Sequence, residues 1–347
     1  MNHSSPILIT GATGFIGAHL LQQLLADGYT NIRCLKRPGS DMRLVQGLEG
    51  KVEWVEGDLL DPFAVEDAMR GCTHVFHGAA VVSFNPADFS AMQKVNVEGT
   101  ALLVNTALHL GIEKLVYISS IAALGRTKEG VTLTEKAKWE RSPFNTRYAI
   151  SKFQGEQEIW RGQAEGLTVA VVNPAIVLGA GFWESGPPHF FPTIDKGFRF
   201  YPAGTTGLVD VRDVAWFMAR LMASDIAGER FILNAEHYSY QQLLSEIAGA
   251  LGRPAPRFKV GKLLRGIAWR VAWLQAKLSG KRPFLTKEAA YNSSRVFFYD
   301  NAKSKAVFNF QYTPIAKTIQ ETARLYRSSA GAAPARLPLS PERVGRN

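Results

Sequence analysis

Tyr148 and Lys152 stand four residues apart in Tyr148-Ala149-Ile150-Ser151-Lys152. On a helix, positions i and i+4 share a face, so the phenol and the ammonium would address the same space. A phenol ordinarily titrates near ~10, and a cation a few ångströms away favours its ionised form. The pair therefore predicts a tyrosine able to exchange a proton near neutral pH, as a general acid or base must. Tyrosine and lysine also meet at this spacing on many solvated helices, so the chemistry depends on what lies beside them.

A second chemical element lies at the N-terminus. Pro6-Ile7-Leu8-Ile9-Thr10 is a short apolar run suited to a strand buried on both faces. It leads into Gly11-Ala12-Thr13-Gly14-Phe15-Ile16-Gly17 and then into a segment of helical periodicity, Ala18 to Leu25. Strand, glycine turn and helix in this order make a nucleotide site credible. Gly11 permits the tight turn, Gly14 lets a pyrophosphate approach the backbone, and Gly17 lets helix and strand pack closely. The free amides of the helix N-terminus would face the phosphates.

The end of the next strand selects the cofactor. Asn31-Ile32-Arg33-Cys34-Leu35-Lys36-Arg37 predicts that strand, and its end is where an adenosine ribose would lie. An acidic residue there indicates NAD, and a basic one accommodates the 2′-phosphate of NADP. The chain has Lys36 and Arg37 and no carboxylate before Asp41, so NADP is expected, through Arg37, over NAD.

These groups need elements to position them, and the sequence supplies an alternation. Strands are predicted at 51–56, 72–77, 114–118 and 167–172, with a long helix at about 87–110 and another opened by Tyr148. The fold class is α/β: a doubly wound parallel (Rossmann) sheet covered by helices on both faces, with a smaller, mostly helical C-terminal substrate lobe. Ligands bind such sheets beyond the carboxyl ends of the strands. Gly11, Arg37, Asp58, Gly78, Ser120 and Asn173 all fall there.

With these residues placed, the chain resembles the extended short-chain dehydrogenase/reductases, the NAD-dependent epimerase/dehydratase family. The resemblance spans about residues 6 to 325 and is nearest to the branch of dihydroflavonol reductases and 3β-hydroxysteroid dehydrogenases. It implies a catalytic set of Ser120, Tyr148 and Lys152, with Asn96 supporting a proton relay. Ser120 is preferred to Ser119 because it lies five residues before Gly125. The same resemblance implies that Thr13, Phe15 and Ile16 join the glycines around the cofactor, and that Asp58, with Leu59, meets the adenine. Gly78, Ala79 and Ala80 would line the cofactor, Pro174 and Val177 would flank the nicotinamide, and Lys152 would hold the ribose hydroxyls.

The implied reaction is hydride transfer to or from a carbonyl carbon, with Ser120 and Tyr148 donating to the carbonyl oxygen. Sugar dehydratases of the family carry an Asp-Glu pair after the active-site hydroxyl, where this chain has Ile121 and Ala122. Nucleotide-sugar enzymes usually place an arginine shortly before the second-domain strand, and Gly204-Thr205-Thr206-Gly207-Leu208 has none. Aromatic and apolar segments at Val82-Ser83-Phe84 and from Phe182-Trp183 to Phe190-Phe191 suit a small hydrophobic ketone or aldehyde better than a sugar diphosphate. Ser83, Phe84 and Ser120 are the expected substrate contacts. The alternatives are a nucleotide-sugar epimerase and a non-catalytic NADP-binding protein.

Composition fits a soluble enzyme. With 347 residues, 46% hydrophobic and 20% charged, the chain can bury one large core plus a smaller lobe. Cys34 and Cys72 fall in predicted buried strands and give neither a disulfide framework nor a metal site. The chain enters its first strand almost at once and lacks a long uninterrupted apolar stretch, so a cytoplasmic location is expected. The expected organisation is a dinucleotide domain at 1–180 with returning segments at about 207–234, a substrate lobe at 181–206 and 235–327, and a disordered tail at 328–347.

The net charge of +10 is unevenly spread: residues 253–347 carry 19 Lys and Arg against 4 Asp and Glu. Within that part, the predicted helix at 261–282 has an apolar face of Leu263, Leu264, Ile267, Val271, Leu274 and Leu278, with cations and two tryptophans elsewhere. Amphipathic helices usually face a protein core, which favours a cover over the substrate pocket. Peripheral contact with anionic lipid is the alternative. No nucleic-acid partner is expected, since no binding module is recognisable; a homodimer is left open.

Overall fold

The computed structural model describes residues 1–126, 128–279, 285–329 and 333–340. β1 (Ile7–Thr10) turns Ile7 and Ile9 into one apolar cluster and Leu8 into another, as a strand buried on both faces must. The glycine turn leads into α1 (Phe15–Ala26), followed by β2 (Ile32–Lys36), β3 (Glu53–Glu56), α2 (Pro62–Met69) and β4 (His74–His77). Then come α3 (Phe89–Gln93), a π-helical turn at Lys94–Glu98, α4 (Gly99–His109), β5 (Lys114–Ile118) and the short β6 (Thr132–Leu133). α5 (Arg147–Ala164), β7 (Val169–Pro174), β8 (Ile176–Leu178), α6 (Phe190–Asp195), β9 (Phe200–Pro202), β10 (Thr205–Asp210), α7 (Val211–Ala223) and β11 (Glu229–Leu233) follow. The remainder is β12 (Glu236–Ser239), α8 (Tyr240–Leu251), β13 (Phe258–Val260), α9 (Lys262–Ser279), α10 (Lys287–Asn292), β14 (Phe298–Tyr299), α11 (Ala302–Val307) and α12 (Ile315–Ser328).

The main sheet has seven parallel strands in the order β11-β7-β5-β4-β1-β2-β3. The strand order reverses between β1 and β4, the place where a doubly wound sheet opens a crevice for ligand. α1 and α7 cover one face, and α2, α4 and α5 the other. A smaller sheet, β12-β10-β8, joins the lobe to the main body. The junction is buried and ionic: Arg212 donates to both carboxylate oxygens of Asp210 at 3.0 and 2.7 Å and pairs with Glu321 of α12 at 2.7 Å.

Three expectations need correction. The helix expected at about 87–110 is interrupted by the π-helical turn around Asn96. Within the tail expected to be disordered at 328–347, residues 333–340 are docked. Leu337 is fully buried, its amide donates to His19 Nε2 at 3.1 Å, and Arg336 donates to Gln22 Oε1 at 3.0 Å. Residues 341–347 lie outside the described residues. Finally, α9 does not turn its Leu and Ile stripe inward as a cover; Leu263, Ile267, Val271, Leu274 and Leu278 are all exposed.

Candidate active site

The glycine turn closes on the end of β4. Gly11 has φ +77, and a Cβ there would lie 2.7 Å from the Ala79 nitrogen and the Gly78 carbonyl carbon. At Gly17 a Cβ would sit 2.1 Å from the Gly11 oxygen, so helix and turn approach to backbone contact. Gly14 is the N-cap of α1 and carries no capping side chain, which leaves the first amides of the helix unclaimed by one. This cradle fits a dinucleotide pyrophosphate. Thr13, Phe15 and Ile16 are half-buried around it, and Gly78, Ala79 and Ala80 form its far wall after β4. Arg37 is exposed just past β2, whereas Lys36 is paired with Glu56 at 3.3 Å. Asp58 is exposed after β3 and accepts the Leu60 amide at 2.9 Å; Leu59 is buried beside it. Pro174, at the end of β7, and Val177, in the middle of β8, are buried.

Ser120 caps a single 3-10 turn at the carboxyl end of β5, and its Oγ accepts the Ala122 amide at 3.1 Å. That turn packs against α5, and the Ser120 hydroxyl lies near enough to the Tyr148 phenol to draw its pKa down. Tyr148 stands in the first turn of α5, whose N-cap Thr146 accepts the Ala149 amide at 3.1 Å. The Phe84 ring meets the Tyr148 ring edge-on at 5.8 Å. Ser119, the competing serine, is committed elsewhere: it donates to Glu156 Oε2 at 2.5 Å. The two adjacent serines thus point to different work, and only Ser120 joins Tyr148.

Lys152 is buried on the same helix, but its ammonium donates to Tyr117 Oη at 2.7 Å and to the Ile118 carbonyl at 2.8 Å. Burial pulls its pKa down to about 7, opposed by Glu156 one turn further along. Tyr148 is pushed up to about 12 by burial, with the nearby Ser120 hydroxyl pulling the other way. The expectation that Lys152 depresses the Tyr148 pKa is therefore not met. The lysine is drawn to a strand phenol and a carbonyl, and desolvation governs the tyrosine.

Behind Lys152 runs a buried chain of hydrogen bonds. Beside Tyr117 lies Thr100, whose hydroxyl donates to the Asn96 carbonyl at 2.9 Å. His77 Nε2 meets Thr100 Oγ1 at 2.9 Å, and His77 Nδ1 meets Thr10 Oγ1 at 2.7 Å. Thr10 Oγ1 in turn accepts the amides of Gly78 and Ala79, each at 3.3 Å. Burial holds the His77 pKa down at about 3, so the ring is neutral, and these partners assign its proton to Nε2. The cradle floor and the Lys152–Tyr117 pair thus lie side by side, with the His77 and Tyr117 rings 5.3 Å apart.

Asn96 is buried and does positioning work. Its amide group spans Val81, at 2.7 Å to the nitrogen and 2.9 Å to the oxygen, and donates to Ser151 Oγ at 3.0 Å. The π-helical turn brings its carbonyl against α5, where a Cβ on Gly155 would be 2.2 Å from that oxygen. Ser83 donates to Asp88 Oδ2 at 2.7 Å and accepts the Asn85 amide, so its hydroxyl organises the loop beside Phe84. Trp183 and Phe191 are buried in the core. Tyr117, Glu156 and His77 did not stand out as site residues in the sequence. For Glu156 a signal existed, since it repeats the four-residue step from Lys152; Glu156 also accepts from Asn173 at 2.8 Å and Arg230 at 3.2 Å. Among the described residues no cluster could hold a metal ion.

Known proteins share this sheet and its glycine turn. The family model for the NAD dependent epimerase/dehydratase family matches residues 7–233. The sterol demethylase protein B of Methylococcus capsulatus is 34% identical over 75% of this chain and 79% of its own. A putative dihydroflavonol 4-reductase of Synechocystis is 30% identical over 92% of this chain and 94% of its own. Among solved structures, that of gox2253 superposes with a TM-score of 0.80 at 29% identity, covering 94% of this chain and 99% of its own. A dTDP-glucose 4,6-dehydratase from Streptomyces venezuelae, with a TM-score of 0.76 at 21% identity and covering 94% and 98%, shares the fold. The family match spans all seven strands of the main sheet, so the chain belongs to the NAD-dependent epimerase/dehydratase family and is an NAD(P)-dependent oxidoreductase.

Proposed function

We propose that this protein is a cytoplasmic NADPH-dependent reductase of a hydrophobic ketone or aldehyde, or the dehydrogenase of the corresponding secondary alcohol. The observation that carries the reading is Ser120 at the end of β5 beside Tyr148 in the first turn of α5, with the Phe84 ring against the phenol. Two hydroxyl donors at one point suit a carbonyl oxygen on which negative charge develops. NADPH, when bound, would supply a hydride for the carbonyl carbon. Ser120 and Tyr148 hold the oxygen, Tyr148 gives it a proton, and Lys152 supplies positive charge beneath the site. A tyrosine titrating near 12 stays protonated at neutral pH and is suited to donate.

The cofactor would rest on Gly11, Gly14 and Gly17, with Arg37 at the 2′-phosphate. Arg37 favours NADPH because it is exposed and its neighbour Lys36 is already paired. Buried Ile121 and Ala122 after Ser120 offer no acid or base for elimination. The relatives named as reductases support reduction over epimerisation. The test is a screen of apolar ketones, aldehydes and sterols following NADPH absorbance, with NADH in parallel. NADPH loss with at least one apolar carbonyl is expected. Epimerisation of a nucleotide sugar without such turnover would replace this reading, and equal rates with NADH would remove the role of Arg37.

A further inference from the structure

An amphipathic helix in a globular protein ordinarily buries its apolar stripe. α9 does the reverse. Leu263, Ile267, Val271, Leu274 and Leu278, spaced three and four residues apart, form one stripe and are 80, 51, 47, 50 and 79% exposed. The side that packs on the protein is the poorer one: Ala272 is buried, and Arg265 lies over the Tyr291 ring at 4.1 Å and donates to Ser294. Exposed Arg270 and Lys277 border the stripe, and Lys277 stands 5.4 Å from the half-exposed ring of Trp273. Just before the helix, Phe258 on β13 and Phe200 on β9 are exposed as well, their rings 5.6 Å apart. A contiguous apolar surface of this kind marks a contact site.

Charge decides what covers it. Residues 247–287 contain ten Lys and Arg and no Asp or Glu. A second copy of the same face would set cations against cations. A surface with an apolar interior and anionic headgroups satisfies the stripe and its border together, and an indole at the boundary fits the same interface. We propose that α9 lies in the plane of an anionic lipid bilayer, with the Leu263-to-Leu278 stripe at the acyl boundary and Arg270 and Lys277 among the headgroups. Among the described residues no helix is long and apolar enough to cross a membrane, so α9 would lie on the surface. The site would then draw an apolar substrate from the membrane its lobe rests on. The docking itself stands independently of what is reduced.

The test is co-sedimentation of the full chain with phosphatidylcholine vesicles and with vesicles enriched in phosphatidylglycerol, at low and high salt. Binding is expected only to the anionic vesicles, with loss at high salt. Leu274→Glu and the double change Arg270→Glu with Lys277→Glu are each expected to weaken partitioning roughly tenfold or more. NADPH titration of the variants, expected to be unchanged, shows that they are folded. No pelleting with anionic vesicles at low salt, or equal pelleting of Leu274→Glu, overturns the proposal. Concentration-dependent dimerisation that Leu274→Glu abolishes, without vesicle binding, assigns the stripe to a second copy instead.

Discussion

Lys152 is a buried cation whose two acceptors, the Tyr117 hydroxyl and the Ile118 carbonyl, both come from β5. Its native pKa of about 7 lies below its ordinary 10.5, so protons leave it more readily in the folded chain than in the unfolded one. If Lys152 must be charged, reductive turnover falls as pH rises through that value. Tyr117→Phe removes one acceptor from the ammonium, so the falling limb of kcat/KM should move to lower pH. A pH–rate profile between about pH 6 and pH 9 checks this, and an unmoved limb would deny Tyr117 the positioning role. Arg37→Ala should lower kcat/KM for NADPH by about ten- to hundredfold while leaving NADH nearly unaffected, measured by parallel steady-state kinetics. The Tyr148–Lys152 pair was legible because it needs only one helix and one spacing. Where the lysine points was not, because Tyr117 reaches it from a strand more than thirty residues away in sequence.

At the scale of elements, the docked segment 333–340 was the least readable. Pro, Ala and Arg without apolar periodicity carry no sign of structure, and the segment holds only because a surface receives it. That surface includes His19 of α1 and Leu44 and Gln46 after β2, whose carbonyls accept from Arg336. Leu337→Ala should destabilise the fold by about 2–5 kcal/mol, read from urea unfolding. His19 also makes the fold acid-sensitive. Burial holds its native pKa at about 4 against an ordinary 6.5, so between those values the unfolded chain binds more protons and stability falls as pH falls. His77 acts in the same direction down to about 3. The urea midpoint should therefore drop between about pH 6.5 and pH 4.5, with a shallower slope in His19→Gln; parallel slopes would place the acid sensitivity elsewhere. The π-helical turn at Lys94–Glu98 was hidden for a similar reason. The periodicity of 87–110 is continuous, and the break appears only where the Asn96 carbonyl meets Gly155 on another helix.

At the scale of the molecule, the alternation of apolar runs and helical segments was enough to foresee the doubly wound sheet and the convergence of Gly11, Gly78 and Ser120 at its strand ends. It also foresaw the return of β11 to that sheet. It did not foresee which face of α9 would be bare, since one periodicity fits either a core or a lipid surface. The central claim joins all three scales: a sheet that gathers a nucleotide cradle and a Ser120–Tyr148 pair for hydride transfer. Single-turnover NADPH oxidation with an accepted ketone, in the unaltered protein and in Tyr148→Phe, tests it most directly. Turnover should fall by at least about a hundredfold while NADPH affinity, from fluorescence titration, stays within about threefold. Undiminished turnover, or loss of NADPH binding together with turnover, would contradict it.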